Sequence, residues 1–226
     1  MAWTVLDVQN QIASEMDQSA TAPSEGGADW NIRLNVINRS LFDWANSGEW
    51  SCLKKIYNCL ISTSTANASV ALPSDFSKLD GYPLIVADGL TTYKFPSVDP
   101  SRNFIYNEED KFVNVLGNDR DGKVMYVHSS ALVSGASVQF TYYASPNSLA
   151  SANNLVVVPD PTYLVQRSLY YLYKGREDGR FPEAKVESDR ILARMIENEN
   201  SRGIADVDRS VPNWLTDEHS FRIGRD

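Results

Sequence analysis

Apolar and polar side chains alternate along the segment Val138-Gln139-Phe140-Thr141-Tyr142. Because successive side chains of a β-strand point to opposite faces, this alternation predicts a half-buried strand over residues 137–143. Glycine turns such as Asp121-Gly122 separate it from earlier β-rich stretches. These stretches lie at residues 68–72, 83–87, 91–95, 111–116 and 123–128. Short strands with frequent turns are typical of an antiparallel β-sandwich or barrel.

Helical patterns flank this β-rich region on both sides. Apolar residues recur at helical spacing in residues 4–16 and in a stretch that begins near Asp29 and ends near Gly48. The same spacing returns in residues 161–174 and 182–201. The apolar stripe predicted for the last helix consists of Val186, Leu192, Met195 and Ile196. Since the two later helices follow each other closely, we expect them to form an antiparallel hairpin.

The order helices, strands, helices predicts a segregated α+β protein. We expect a helical bundle made from both chain ends, residues 1–50 and 155–202. Residues 51–154 are then an inserted antiparallel β-sandwich or barrel region. Residues 203–226 show no regular period and are interpreted as an extended C-terminal docking tail.

An energy comparison indicates that this tail needs a partner in order to fold. Burial of its large apolar side chains would contribute about 10 kcal/mol, whereas fixing the backbone costs about 1–2 kcal/mol for each residue. We therefore expect the tail to order on a partner, with a frayed or self-packed terminus as the alternative. The candidate partner-binding residues are Arg209, Pro212, Trp214, Leu215, Phe221, Arg222, Ile223 and Arg225.

The chain of 226 residues carries a formal net charge of -8. A surface that grips nucleic acid needs an excess of Lys and Arg, so this balance argues against such a surface. It is compatible with a surface that DNA passes without sticking, because acidic side chains repel phosphates. The candidate channel-lining residues are Glu108, Glu109, Asp110, Glu183, Glu187, Asp189 and Glu197. Each of them could instead lie on a solvated outer face.

The sequence contains two cysteines, Cys52 and Cys59, and two histidines, His128 and His219. The odd separation of the cysteines in an extended segment directs them to opposite faces, so we expect reduced thiols packed as small apolar groups. Without a Cys/His cluster at metal-binding spacing, we expect no metal and no cofactor. The N-terminus lacks a signal-peptide pattern and no apolar run is long enough for a bilayer, so we expect cytoplasmic synthesis and no membrane partner.

Catalytic sequence patterns are missing as well. The chain has no GxSxG elbow, P-loop, Rossmann glycine pattern or HExxH motif, and the adjacent acids 108–110 do not supply two carboxylates across a cleft. We therefore expect that the protein is not an enzyme. A carbohydrate-binding module is an alternative, although core packing and subunit contacts explain its aromatic residues more simply. These residues are Tyr82, Tyr93, Phe95, Phe104 and Tyr106.

A joint at Leu72-Pro73-Ser74-Asp75-Phe76-Ser77-Lys78-Leu79 leads into the β-rich region. Pro73 biases Leu72 towards extended geometry and so ends a strand. Ser74 or Asp75 can then cap a following helical turn. The other interpretation of this motif is a simple joint between a strand and a turn.

Three ordered motifs and the terminal hairpin give the chain a family resemblance. The first motif is the aromatic-rich helix end from Leu41-Phe42-Asp43-Trp44 to Trp50, and the second is the joint at residues 72–79. The third is Phe140-Thr141-Tyr142-Tyr143-Ala144-Ser145-Pro146. In this order, with a helical hairpin and a tail after them, they resemble the head-to-tail adaptor family of tailed bacteriophages, also called connector or tail tubular A proteins. The resemblance covers nearly the whole chain.

The resemblance implies a structural virion protein at the head–tail junction that is assembled in the host cytoplasm. Members of this family form a twelve-subunit ring beneath the portal, extend the DNA channel and dock the tail, and their C-terminal segment commonly inserts into the portal. The implied partners are the portal protein, a tail or nozzle protein below, other copies of the chain, and DNA that passes without specific binding. A carbohydrate-binding, decoration or tail-accessory virion protein is the alternative.

Overall fold

The computed structural model describes residues 2–19, 21–61, 67–86, 92–98, 111–118, 122–128 and 135–210. Within these ranges, side chains are described at all positions except 67, 86 and 202–210. The chain divides into two compact units, a helical unit of Met1–Gly48 with Leu149–Asp226 and a β-rich unit of Glu49–Ser148. The protein is therefore a mixed α+β protein. Among the helices described, none combines the length and the apolar character that crossing a membrane requires.

The described part of the helical unit contains α1 (Val5–Asp17), α2 (Ala28–Asn46), α3 (Thr162–Gly175) and α4 (Phe181–Ser210). A capping box begins α1, because the Thr4 hydroxyl accepts from the Asp7 N–H and the Asp7 carboxylate accepts from the Thr4 N–H. Asp29 could cap α2 by its residue type, but the N-cap of this helix is Gly27. Asp29 lies in the first turn instead, where its negative charge interacts favourably with the positive end of the helix dipole.

Helix α3 lies at the centre of the helical unit, because it contacts α1, α2 and α4. Leu164 and Leu169 of α3 are buried, as are Ile12 of α1 and Trp44 of α2. The first three helices match the predicted segments within a few residues, since their apolar spacing matches the face that they bury.

Residues 149–155 belong to the helical unit although they precede α3. Leu149 exchanges two hydrogen bonds with the Asn38 side chain, at 2.7 and 2.9 Å. The N–H of Val5 donates to the Asn154 carbonyl at 3.0 Å. Segments from both ends of the chain therefore contribute to one unit.

Helix α4 departs from the prediction in its length and in its buried face. It continues to Ser210, so residues 203–210 of the predicted tail are helical. Among the described side chains of α4, the buried residues are Ala184, Ser188, Ile191 and Met195. They recur every three or four residues, as expected for the side that packs on α3. Val186 was placed on the stripe because it is apolar, but it lies off this face and is 68% exposed.

The β-rich unit contains β1 (Lys54–Leu60), β2 (Asn67–Ala71), β3 (Phe76–Val86), β4 (Thr92–Lys94), β5 (Phe112–Asn118), β6 (Gly122–His128) and β7 (Ser137–Ala144). These strands form two antiparallel sheets, with the orders β1-β7-β3-β4 and β2-β6-β5. The prediction of antiparallel strands is confirmed. Neither sheet closes on itself among the described strands, so these strands do not form the barrel that was one of the two predicted architectures.

Strand β7 lies inside the four-stranded sheet and corresponds to the half-buried strand predicted over residues 137–143. Phe140 is buried, and the neighbouring Gln139 is exposed. One apolar core contains side chains of both sheets, such as Phe140 from the first and Val113 and Met125 from the second. The alternation in the sequence therefore follows the two faces of this strand.

The joint that was predicted to contain a helical turn forms a tight turn between strands. The Phe76 N–H donates to the Pro73 carbonyl at 3.0 Å, and β3 begins at Phe76. The Asp75 carboxylate accepts hydrogen bonds from Lys55 at 2.6 Å and from the Tyr142 hydroxyl at 2.9 Å, so it does not cap a helix. The helical turn is therefore wrong and the simple joint between a strand and a turn is confirmed, because Phe76 enters the core as the first residue of a strand.

Both cysteines are reduced thiols, Cys52 exposed and Cys59 partly buried. Cys52 lies in a single 3-10 turn, Ser51–Leu53, which comes before β1. The expectation that both thiols pack as small apolar groups is therefore wrong for Cys52, because this turn is not part of the extended segment.

Candidate functional site

Most of the predicted partner-binding residues lie beyond the part of the chain that the structure describes. They are Pro212, Trp214, Leu215, Phe221, Arg222, Ile223 and Arg225. The backbone of Arg209 belongs to α4, but its side chain is outside the described set. The predicted channel acids Glu108, Glu109 and Asp110 and the aromatic residues Phe104 and Tyr106 also lie outside the described residues.

Helix α4 carries the other predicted channel acids, Glu183, Glu187, Asp189 and Glu197. Glu187 lies 2.6 Å from Arg190, and Asp189 lies 2.5 Å from Lys185. The hydrogen bond from Arg190 lowers the pKa of Glu187. These two negative charges are compensated, whereas the other two acids form no ion pair with a described side chain. The repulsive charge of this face is therefore smaller than a count of its acids suggests.

A cation–aromatic patch on α2 and α3 was not predicted from the sequence. It consists of Arg39, Arg167, Tyr170, Tyr171 and Lys174. The Arg39 guanidinium lies 4.0 Å from the centre of the Tyr171 ring. The Arg167 guanidinium lies 5.3 and 5.2 Å from the Tyr170 and Tyr171 rings, and the Lys174 ammonium lies 5.6 Å from the Tyr170 ring. The members of the patch on α3 are three or four residues apart and therefore lie on one face of the helix. This spacing can be recognised in the sequence once residues 167–174 are predicted to be helical.

Asp43 of α2 fixes this patch by bonding two of its members. Its carboxylate accepts a short hydrogen bond from the Tyr171 hydroxyl and a second from Arg167 Nε at 3.2 Å. Arg167 Nη1 also lies 3.5 Å from a carboxylate oxygen of Asp189 on α4. The positive charge of Arg167 is therefore compensated inside the network, which links α2, α3 and α4.

Their surroundings raise the pKa values of Tyr163, Arg167 and Tyr171. Burial raises the pKa of Tyr163, which lies beside Arg167, to about 12. Burial also raises the pKa of Tyr171, and the hydrogen bond to Asp43 raises it further. Burial acts to lower the pKa of Arg167, but the neighbouring Tyr163 and Asp43 outweigh it and the pKa is raised. Around neutral pH Arg167 therefore stays charged, and Tyr163 and Tyr171 stay neutral. Aromatic faces beside the Arg39 and Lys174 cations suit the binding of acidic groups.

Replacing Asp43 with asparagine is expected to lower the pKa of Tyr171 towards the ordinary tyrosine value, because the accepting carboxylate is lost. A raised folded-state pKa contributes stability that is complete below the unfolded value of about 10 and is lost as the pH rises through the folded value. The alkaline titration of tyrosinate absorbance measures the change, with Tyr171→Phe as the control that identifies this residue. A titration of Asp43→Asn identical to that of the wild type would contradict the role of Asp43.

The described aromatic residues of the β-rich unit do not share one environment. Phe95 is buried in the core, and Tyr82 is 63% exposed. Tyr93 packs against the core, with the Lys111 ammonium 3.4 Å from the centre of its ring. The aromatic residues that suggested a carbohydrate platform therefore include core residues as well as surface residues.

The sequence matches no protein-family model, and no curated protein is significantly similar to it. Among the described side chains, no group of three or more His, Cys, Asp or Glu residues is placed to hold a metal ion. The organisation and the surface chemistry of the chain itself are therefore the observations that bear on its function.

Proposed function

We propose that the protein is a structural subunit of a tailed-bacteriophage particle, an adaptor at the head–tail junction that binds the portal protein, extends the DNA channel and provides the attachment site for the tail. The observation that carries the proposal is the organisation of the chain. Helices from both ends form one unit, a β-rich unit is inserted between them, and residues 211–226 follow α4. This organisation agrees with the order of the motifs that resemble the adaptor family.

For the two units we propose the finer arrangements of a helical bundle and a β-sandwich. The central position of α3, in contact with the other three described helices, supports the bundle. The shared core supports the sandwich, because two sheets that pack face to face bury their inner side chains together. Phe76 and Val138 enter this core from one sheet, and Val70 and Val127 enter it from the other.

The C-terminal segment is the proposed portal-binding element. A segment that inserts into a partner needs an ordered body behind it, and Ile191 and Met195 of α4 are buried in the helical unit. Residues 211–226 contain Trp and Arg, the residue types that dominate binding energy at interfaces. The helical backbone up to Ser210 shortens the proposed docking tail relative to the sequence prediction, and it places Arg209 on the helix that leads into the tail.

For the channel, Glu183 and Glu197 are the stronger candidates on α4. Their charges have no ion pair with a described side chain, whereas Glu187 and Asp189 are compensated by Arg190 and Lys185. Uncompensated acids repel phosphates more effectively, so DNA would pass without specific binding. In this proposal other copies of the chain complete the ring, a tail or nozzle protein docks below, and the protein acts without catalysis.

Removing residues 211–226 is expected to abolish binding to the portal protein of the same phage, with a loss of affinity of about a hundredfold or more, because the interface anchors are lost. Binding is measured by co-sedimentation of the full chain and of the truncated chain with portal rings. The thermal unfolding of the truncated chain serves as the control and is expected to be unchanged. Unchanged affinity for the portal would remove the proposal.

A matched pair of full-length variants separates anchor residues from chain length. Trp214→Ala with Phe221→Ala is expected to weaken portal binding in the same direction as the truncation. Thr216→Ala with Ser220→Ala changes the same segment without removing an apolar anchor, so its affinity is expected to equal that of the wild type. Equal losses in both pairs would contradict the assignment of the anchors.

A further inference from the structure

We infer that the cation–aromatic patch of one copy binds an acidic end of the helical unit on a second copy. The acidic end consists of Asp7, Glu25 and Asp29, at the starts of α1 and α2. The inference rests on the proposed function only where these contacts are taken to close into a ring; the contact itself is argued from the charges and surfaces of the helical unit.

The cations of the described helical unit divide into two groups. Most have an acidic partner: Arg33 pairs with Asp17, Arg167 with Asp43 and Asp189, Arg180 with Asp178, Lys185 with Asp189, Arg190 with Glu187, and Arg194 with Asp160. Arg39, Lys174 and Arg176 have no ion pair with a described side chain, and the first two belong to the patch. The patch is therefore a place of uncompensated positive charge in a chain with a net charge of -8.

The acidic end carries negative charges that form no ion pair with a described side chain. The N–H of Leu6 donates to the Ala152 carbonyl at 3.0 Å, and the N–H of Ala152 donates to Glu25 Oε1 at 2.9 Å. These bonds hold the start of α1 beside the segment that leads into α2, where Asp29 occupies the first turn. Asp7 bonds only the Thr4 cap, and none of the three acids forms an ion pair with a described side chain.

Both surfaces also carry apolar area, which is an observation independent of charge. At the acidic end Leu6 is 40% exposed, and Leu155, which bridges to Thr4, is 61% exposed. On the patch, the rings of Tyr170 and Tyr171 are partly exposed. Apolar burial supplies affinity to an interface, whereas opposite charges around it set the orientation of the partners.

The two surfaces cannot satisfy each other within one chain. Asp29 and Arg39 lie on the same helix α2, separated by about 15 Å along its axis at 1.5 Å for each residue. The complementary partner is therefore a second copy, in a contact that joins two different surfaces. Contacts of this kind repeat from copy to copy and close into a ring when the rotation permits.

Charge reversal tests this contact. One variant carries Arg39→Glu and Lys174→Glu, and the other carries Glu25→Lys and Asp29→Lys. Each variant alone is expected to self-associate about tenfold more weakly than the wild type or worse, measured by sedimentation velocity at low salt. A mixture of the two variants is expected to associate again, because each contact then joins either two native surfaces or two reversed ones. Lys94→Glu, an exposed change in the β-rich unit, is the matched control for Arg39→Glu and leaves association unchanged.

Cross-linking of the wild type gives a second test that needs no variant to fold. A carbodiimide joins a lysine directly to a carboxylate, and a mixture of isotope-labelled and unlabelled chains distinguishes links between copies from links within one. Links between Lys174 of one copy and Glu25 or Asp29 of another are expected. Their absence, a mixture of reversed variants that stays monomeric, or a wild type that stays monomeric at low salt would each overturn the inference.

Portal binding separates this inference from the proposed function. If the chain self-associates through these surfaces but does not bind the portal, the contact stands and the adaptor function fails. If the chain binds the portal through residues 211–226 while charge reversal leaves self-association unchanged, the adaptor function stands and the contact fails.

Discussion

Replacing Phe140 with alanine is expected to lower the free energy of unfolding of the β-rich unit by about 3–5 kcal/mol. Phe140 is 2% exposed, and its ring centre lies 5.4 Å from that of Tyr57, 6.3 Å from that of Phe76 and 6.0 Å from that of Tyr142. It belongs to the core that receives side chains from both sheets. The substitution removes a large apolar group and leaves a cavity that these neighbours cannot fill completely.

Chemical denaturation followed by circular dichroism measures this loss. Gln139→Ala is the matched control, because Gln139 is adjacent on β7 but exposed, and its effect is expected to stay within about 0.5 kcal/mol. A loss for Phe140→Ala as small as that of the control would contradict the shared core and, with it, the proposed sandwich.

Replacing Gly117 with alanine is expected to cost roughly 3 kcal/mol, for two reasons that add. Gly117 has φ +102, a conformation that residues with a side chain rarely adopt. A Cβ at this position would lie 2.2 Å from the Gly122 carbonyl oxygen, so the backbone of the paired strands β5 and β6 would have to separate.

Gly122→Ala separates the two reasons. Gly122 also has a positive φ, +88, but a Cβ there meets nothing within 4 Å. Only the conformational strain remains, which is worth about 1–2 kcal/mol. Urea unfolding of both variants gives the comparison, and equal losses at the two positions would show that the close approach at Gly117 relaxes without cost.

Local patterns predicted the helices and several strands because they record which face is buried. Apolar spacing placed α1 to α3 within a few residues of their observed ends, and β7 followed from alternation alone. The segment around Cys52 and Cys59 was predicted to be extended, but β1 was not included among the predicted strands. Its apolar residues lie on both faces, and Ile56 and Leu60 are exposed, so the sequence lacks the alternation that marks a buried face. The sheet order could not be predicted, since β2 pairs with β6 across many intervening residues.

The candidate surfaces depended even more on distant contacts. The spacing of the patch residues on α3 is visible in the sequence. Their contacts with Arg39 and Asp43 are not, because these two residues belong to α2. The sequence also gave no sign that Arg190 and Lys185 compensate half of the acids predicted to line the channel on α4. Charge can be counted from composition, but its compensation depends on which side chains meet.

The hydrogen bonds between Asn38 and Leu149 have a consequence for how this architecture can change over time. They fasten the returning chain to α2 immediately after the β-rich unit ends at Ser148. Hydrogen bonds within the helical unit thus hold its two chain segments together, whatever sequence lies between Glu49 and Ser148. A module attached in this way can be lengthened, shortened or exchanged in the course of evolution while the surrounding helices keep their packing.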